Sequence, residues 1–498
     1  MMWAKRKSTT TVWVGILIAF SVASLAFTAG EGIAAQQEKH GTQRPFEYVI
    51  DDFTVYPIPE IPKPAKGKPF RDPTFHTEIV RISDRKQDKL TAWGKTLGMI
   101  LNEYARVDPE NCDGSRAVFK SPKDSGRWFV YDLDTFEMIV DIYKQARDKK
   151  LVIGELEPRW DRYDPNVFYF SQKGALFKYD ISNKKIEMVR DFKKDFGEDV
   201  YYLRNRYEGR PSFDSRYWAF RADGGRSRGW KTLAWVWYDL RENTILGSRQ
   251  DPPGSDHVSM GMFGNFFCVG TMGHVAYNLE DFQAGKVSIK LSPTTTHADL
   301  AITAEGREAM VYQNGKNDWI EMTYLDTGQT VKLISYTHKT TWDEMLKGGA
   351  GLHISGLSIG TPGWVLVSWY GGAPRKPFSW QHQALFMLEL KENPRVWRVA
   401  HTHCPWAEAT AKDYWAEAFA AINAAGTRVY WGSNWDEAEK ETRTIEVYSA
   451  NLPETWYSDL MGRENAEEAR RATRKQIEEK LGSRAAEAYD KLLARSAN

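Results

Sequence analysis

Along most of this chain, short alternating or fully apolar runs are separated by polar turns rich in Gly, Asp and Asn. The period of two and the short run length predict strands rather than helices. A tyrosine-centred triplet recurs late in each unit: Tyr131-Asp132-Leu133, Tyr179-Asp180-Ile181, Tyr238-Asp239-Leu240 and Tyr277-Asn278-Leu279. Tyr324-Leu325-Asp326 is a weaker copy, and Leu388-Glu389-Leu390 and Val447-Tyr448 stand at the equivalent place in the last two units. Most triplets are followed by a polar turn and one more short strand. Each is preceded by a turn and a strand, such as DPNVFYFSQ, GREAMVYQ or GTRVYWGSNW, and by the strand that opens the unit.

This grammar gives seven units of four strands, near residues 100–145, 154–192, 204–249, 254–292, 295–336, 351–401 and 413–452. One such unit cannot bury both of its faces alone, whereas radial stacking buries each sheet against the next. The pattern predicts an all-β fold, a seven-bladed β-propeller of four-stranded blades spanning residues 76–455. The last unit lacks a fourth strand, and the early strand from Glu78 to Ile82 is expected to supply it and close the ring.

The flanks differ from the repeats. Residues 1–35 combine Lys5, Arg6 and Lys7 with an apolar stretch from Val12 to Ala26 and small residues after it. That is the pattern of a secretory signal, with an uncleaved N-terminal anchor giving membrane association as the alternative. Either way the expected location is periplasmic or secreted. Residues 36–75 form a Pro-rich extended arm. Residues 456–498 turn to Ala, Glu, Lys and Arg and are expected to be helical, broken at Gly482-Ser483 and packed on the propeller exterior.

Composition changes this picture only in detail. A net charge of +1, from 67 basic and 66 acidic residues, argues against a nucleic-acid partner. Three cysteines, Cys112, Cys268 and Cys404, leave at least one unpaired in a monomer, and Cys268 lies in an apolar run as a buried thiol would.

The candidate chemistry sits at the starts of the units. His257, His297 and His353 fall at one equivalent place in units 4, 5 and 6, where the opening strand of a blade lines the central channel. Arg106, Glu155, Glu208 and Glu417 fall near the same rim, with Arg159 and Arg210 slightly further along their strands. Converging neutral imidazoles suit a divalent transition metal such as Mn, Fe, Zn or Cu. His401 and His403 alternate by two and so share a strand face. Trp415, with Asn434 nearby, is the candidate platform for a sugar ring. His274 and His382 lack repeat support and are expected to be structural.

The unit-opening histidines, the HTHC stretch at 401–404 and the late YWAEAFAAINAAGTRVYWGSNW resemble the exported propellers related to oligogalacturonate lyase, and INAAGTRVYW is similar to the TolB-type repeat. The resemblance implies a seven-bladed propeller, β-elimination of acidic, uronate-containing oligosaccharides, and a divalent metal, manganese, held by His and Gln. It points to His297, His353, His401 and His403 as metal ligands, while Ala350 and Ala400 stand three residues before His353 and His403, where no Gln is available. In that chemistry Arg210 and Arg159 bind substrate carboxylates, His257 is a candidate base, and Trp415, Glu417, Asn434 and Glu208 contact substrate. The other class is a non-catalytic propeller that binds a ligand or a protein partner, as a subunit of a membrane-associated complex, using its terminal extensions.

Overall fold

The computed structural model describes residues 46–88, 96–122, 124, 126–151, 156–205, 208–270, 273–292, 297–373, 375–405, 414–435 and 444–495. The predicted signal or anchor of residues 1–35 lies outside them. Among the described residues no helix is long and apolar enough to cross a membrane.

Seven antiparallel sheets follow one another along the chain. Blade 2 illustrates the unit: Arg159–Trp160, Val167–Gln172, Ala175–Asp180 and Lys185–Asp191 pair in order from the inner to the outer strand. Blade 1 has three long strands, Arg116–Ser121, Arg127–Asp132 and Met138–Asp141, and its inner position is filled by a bridge from Leu101 to Lys120. Blade 7 contributes Ala421–Ile422, Arg428–Ser433 and Glu446–Asn451. Its fourth strand is Glu78–Arg81, which pairs Ile79 with Ala450 and Arg81 with Tyr448. The ring is therefore closed by the N-terminal strand, as the unit count requires.

The recurrent triplet has a physical role in each half. The tyrosine of the third strand is buried between blades, as Tyr131, Tyr179, Tyr238 and Tyr277 all are. The following Asp or Asn accepts backbone N–H bonds from two or three residues on. Asp132 takes Asp134 and Thr135, Asp180 takes Asn183, Asp239 takes Arg241 and Glu242, and Asn278 takes Asp281. These side-chain turns pin the end of the third strand.

The core lies between blades rather than within them. In blade 1, Ala117, Phe119, Phe129 and Tyr131 pack on Tyr430 and Val447 of blade 7, whereas Val118, Trp128 and Val130 pack on Phe168 and Phe170 of blade 2. Alternation along the strand sends successive side chains to opposite neighbours. This is why the runs read as nearly continuous apolar segments.

The arm and the C-terminal helices complete the unit. Val49–Ile50 adds to the outer strand of blade 6 and Phe70–Arg71 to that of blade 7. Residues 46–75 thus bond to their own propeller at several points, including Trp435 Nε1 to the Ile61 carbonyl at 2.9 Å. Three helices, Trp456–Met461, Arg463–Leu481 and Ser483–Arg495, pack on the ring more specifically than exterior packing implies. They contact the turns that follow the inner strands. Tyr457 donates to the Pro362 carbonyl, Trp456 to Gly426, Tyr489 to Ile359 and Arg495 to Cys112. Tyr489 also meets Phe213 of blade 3. The helices therefore cover one end of the ring.

Candidate functional site

The end opposite these helices is the one where the inner strands begin. Three of these strands bring His257, His297 and His353 inward, from Ser255–Met260, just before Ala298–Ile302, and from Ala350–Ser355. Blade 1 shapes what they meet. Between Leu101 and Glu110, both bridged to the second strand, its chain leaves the sheet and carries Glu103, Tyr104 and Arg106 inward. These three side chains act as spokes. Glu103 receives two bonds from Arg159 of blade 2, at 2.5 and 3.2 Å. The Tyr104 hydroxyl lies 3.2 Å from Nδ1 of His353 in blade 6. Arg106 bonds Glu208 of blade 3 at 3.0 Å and donates to Nε2 of His257 in blade 4.

The imidazoles form two groups. His297 and His353 lie with ring centroids 4.5 Å apart. Burial, and then the Arg106 guanidinium, hold the pKa of His353 down to about 3, and burial, His353 and Arg106 do the same for His297. Both are uncharged at neutral pH. His353 donates from Nε2 to Glu417 at 3.0 Å and accepts from Tyr104 at Nδ1, so its tautomer is fixed by its partners. His297 donates from Nδ1 to the Leu352 carbonyl, which leaves its lone pair on Nε2.

His257 belongs to the second group. Its Nδ1 lies 3.5 Å from Glu208 and 3.8 Å from Asp256, and the three ligand atoms fall within 4.8 Å of one another. With Arg106 donating to Nε2, the neutral ring carries its proton on Nδ1 and presents it to the carboxylates. Burial is the main cause of the lowered pKa of His257, followed by Arg106. Asp256 is open to solvent, with its side chain 65% exposed, and Glu208 is 18% exposed.

Several expected site residues lie elsewhere. His401 ends the outer strand of blade 6, three strands from His353, a separation of roughly 14 Å at the usual strand spacing. Its Nδ1 faces Asp72 of the arm at 3.7 Å, and His403 stacks on Trp435 at 4.1 Å. The four histidines His297, His353, His401 and His403 therefore do not form one metal site; the second pair anchors the arm and blade 7. Arg159 and Arg210 are committed to Glu103 and Asp299, the latter at 3.2 Å, so neither is free to clamp a substrate carboxylate. Trp415 is half-buried under the Lys120 ammonium, and Tyr414 beside it is the exposed ring, at 47%. Asn434 is buried after the second strand of blade 7. Glu417 does reach the channel, through His353. Glu155 lies outside the described residues. His274 and His382 are buried and structural; His382 bonds the Met345 carbonyl.

Glu103, Tyr104, Asp256 and Asp299 were not singled out by the repeat. Asp299 had a signal, since it follows His297 by two and shares its strand face. Glu103 and Tyr104 had none, because they sit where blade 1 departs from the repeat.

A concavity of about 490 Å³ opens at the helix-covered end, between blades 2 and 3, lined by Tyr163, Asp214, Arg216, Arg241 and Arg484 among others. Its Arg216 and Arg241 already pair with Asp239 and Asp214, at 2.7 and 3.5 Å. The carboxylates and imidazole that converge on one point are at the other end.

No protein-family profile matches the chain, and no curated protein sequence does. Among solved structures it is similar to an oligogalacturonate lyase from Vibrio parahaemolyticus, with 12% identity over 79% of this chain and 100% of that one and a TM-score of 0.49. It is also similar to the Pan2 WD40 domain of Neurospora crassa, with 8% identity over 70% and 90% of the two chains and a TM-score of 0.42. The propeller assignment rests on the seven sheets themselves.

Proposed function

We propose that the end of the channel opposite the C-terminal helices is the working site of an exported lyase acting on acidic, uronate-type oligosaccharides, with a divalent cation held at Glu208, Asp256 and His257. The observation that carries this reading is the convergence of two carboxylates and one imidazole within 4.8 Å, on neighbouring blades and open to solvent through Asp256. Two oxygen donors and one nitrogen suit manganese or a similar divalent ion. Such an ion, when bound, would neutralise the uronate carboxylate and so acidify the adjacent C–H. Arg106 supplies a positive charge for the same carboxylate. His297, uncharged and with its lone pair on Nε2, is the group to accept the proton. As the C–H electron pair forms the C=C bond, the C–O bond to the departing sugar breaks, and the proton on His297 passes to that leaving oxygen, which returns the imidazole to its neutral form. Tyr414 offers an exposed face for a sugar ring.

One observation favours a non-catalytic ligand-binding propeller instead. The spokes Glu103, Tyr104 and Arg106 are satisfied internally, as in a rigid scaffold. One experiment separates the readings. The purified protein is analysed for bound metal and incubated with oligogalacturonates, and the unsaturated uronate product is followed by its ultraviolet absorbance. The lyase reading expects about one divalent ion per chain and product formation, both lost in Glu208→Gln with His257→Gln. Metal-free protein that forms no unsaturated product refutes it and leaves the binding reading.

A further inference from the structure

The outer part of the same end, on blade 3, carries a feature that the channel chemistry does not use. Trp230 is 51% exposed and Tyr201 37% exposed, and they stand together rather than singly. Tyr201 and Tyr202 meet edge to face at 4.6 Å, Tyr201 and Trp230 at 5.8 Å, and Tyr202 lies nearly parallel to Trp230 at 6.2 Å. The Arg204 guanidinium caps the Tyr202 ring at 4.4 Å. The rings are presented by the start of the inner strand, Val200–Arg204, and by the loop between Tyr217–Gly224 and Thr232–Asp239.

The loop is built to hold Trp230 outward. Its φ is +60, a left-handed conformation that bulky residues avoid, and its N–H is fixed on the Gly225 carbonyl at 3.1 Å. Gly225 lets the loop pass close to the Tyr201 ring, since a Cβ there would stand 3.2 Å from it. The charge around the rings is positive. Arg226 and Lys231 are exposed and have no ion pair among the described residues, whereas Arg228 pairs with Asp199 at 2.9 Å.

We infer that Tyr201, Tyr202 and Trp230, with Arg226 and Lys231, form an accessory subsite that holds an acidic polysaccharide chain beyond the channel mouth. Flat aromatic faces take the apolar faces of sugar rings, and the unpaired cations take their carboxylates. Tyr202 precedes Glu208 by six residues in the chain, so these two residues of the platform and the mouth are at most roughly 22 Å apart. A chain of several uronate residues bridges them. This inference rests on the proposed substrate class but not on the proposed reaction.

The test is retention of polygalacturonate by the full-length protein in affinity electrophoresis, with a neutral glucan of similar length as control. Wild type, Trp230→Ala, the charge reversal Arg226→Glu with Lys231→Glu, and His257→Gln are run in parallel, each checked for native circular dichroism. The expected result is retardation of wild type and His257→Gln by polygalacturonate alone, weakened about tenfold or more in both platform variants. The surface charge reversal touches no core, so its result stands if Trp230→Ala misfolds. Equal retention of wild type and charge reversal overturns the subsite, as does equal retention by the neutral glucan or displacement of the saccharide by single-stranded RNA at lower concentration. Retention with no unsaturated product at any time overturns the lyase reading and leaves the subsite standing.

Discussion

The Tyr104 hydroxyl lies 3.2 Å from Nδ1 of His353, although the two residues are 249 positions apart. The contact joins the inward excursion of blade 1 to the inner strand of blade 6, across the channel. Tyr104→Phe keeps the ring and deletes this bond. A buried acceptor without its donor costs about 1–2 kcal/mol. Chemical denaturation is expected to show a loss of that size, and Tyr104→Ala a larger one of about 3–5 kcal/mol from the added cavity. Equal stability of Tyr104→Phe and wild type would show that the spoke is not held by this bond.

The same histidine sets a pH dependence. Burial and Arg106 bring the pKa of His353 from 6.5 in the unfolded chain to about 3 in the folded one. Below pH 6.5 the unfolded chain takes a proton that the folded chain refuses. The stability is fully present above that value and is lost as pH falls toward the folded pKa. By pH 5 the loss is about 2 kcal/mol for this one residue. Glu103 and Glu446, which burial pushes up to about 7, act in the opposite sense, so the wild-type slope alone is not diagnostic. The difference in unfolding free energy between wild type and His353→Asn, measured at about pH 7.5 and pH 5, should shrink by that amount at the lower pH. A difference that is constant with pH would show that His353 is not held neutral.

Ring closure depends on a strand from the far end of the chain. Ile79 is fully buried and pairs with Ala450. Ile79→Ala should cost about 3 kcal/mol by the usual core cost. Because the strand is the clasp of the ring, the loss should come with earlier proteolysis at the seam between blades 1 and 7 than at blades 3 to 5. Uniform proteolysis would argue against a clasp.

The cover on the opposite end has its own tight point. Gly306, with φ +74, turns blade 5 under the long C-terminal helix, and a Cβ there would stand 2.7 Å from the Ala472 carbonyl carbon. Gly306→Ala meets both an unfavourable backbone and a clash with main chain that no rotamer relieves. The expected outcome is faster tryptic release of residues 456–498 while the propeller persists. No change in that release would place the helix farther from the turn.

The sequence made the ring legible because the repeat is enforced by two local devices, a buried tyrosine and an Asx turn, visible at Tyr131-Asp132 or Tyr238-Asp239 without any long-range information. The same repeat placed His257, His297 and His353 on or at the start of inner strands. It failed for His401 and His403, since alternation fixes a strand face and not the strand's depth in its blade. It failed for Arg159 and Arg210 because their partners, Glu103 and Asp299, come from other blades. The spokes were hidden for a related reason. Residues 102–108 leave the strand pattern, and what they touch depends on the closed ring.

The last relationship decides how the candidate cation group works. Arg106 bonds Glu208 and also donates to His257, two of the three members of the group. A guanidinium cannot lose its proton, so while it stays there it repels a second cation and holds His257 in the tautomer with its proton on Nδ1. Cation binding through Nδ1 then requires that proton to move and Arg106 to turn away, as it would when a substrate carboxylate draws it outward. Arg106→Met removes the competing charge and keeps most of the side-chain volume. The variant should bind manganese more tightly than wild type, by roughly tenfold or more, since a charge within about 4 Å is worth a few kcal/mol at a partly buried site. It should also lose activity on uronates, because the charge that meets their carboxylate is gone. Calorimetric titration with manganese checks the first and product formation the second. Weaker manganese binding in Arg106→Met than in wild type would mean that the arginine organises the carboxylates for the ion instead of standing in its place.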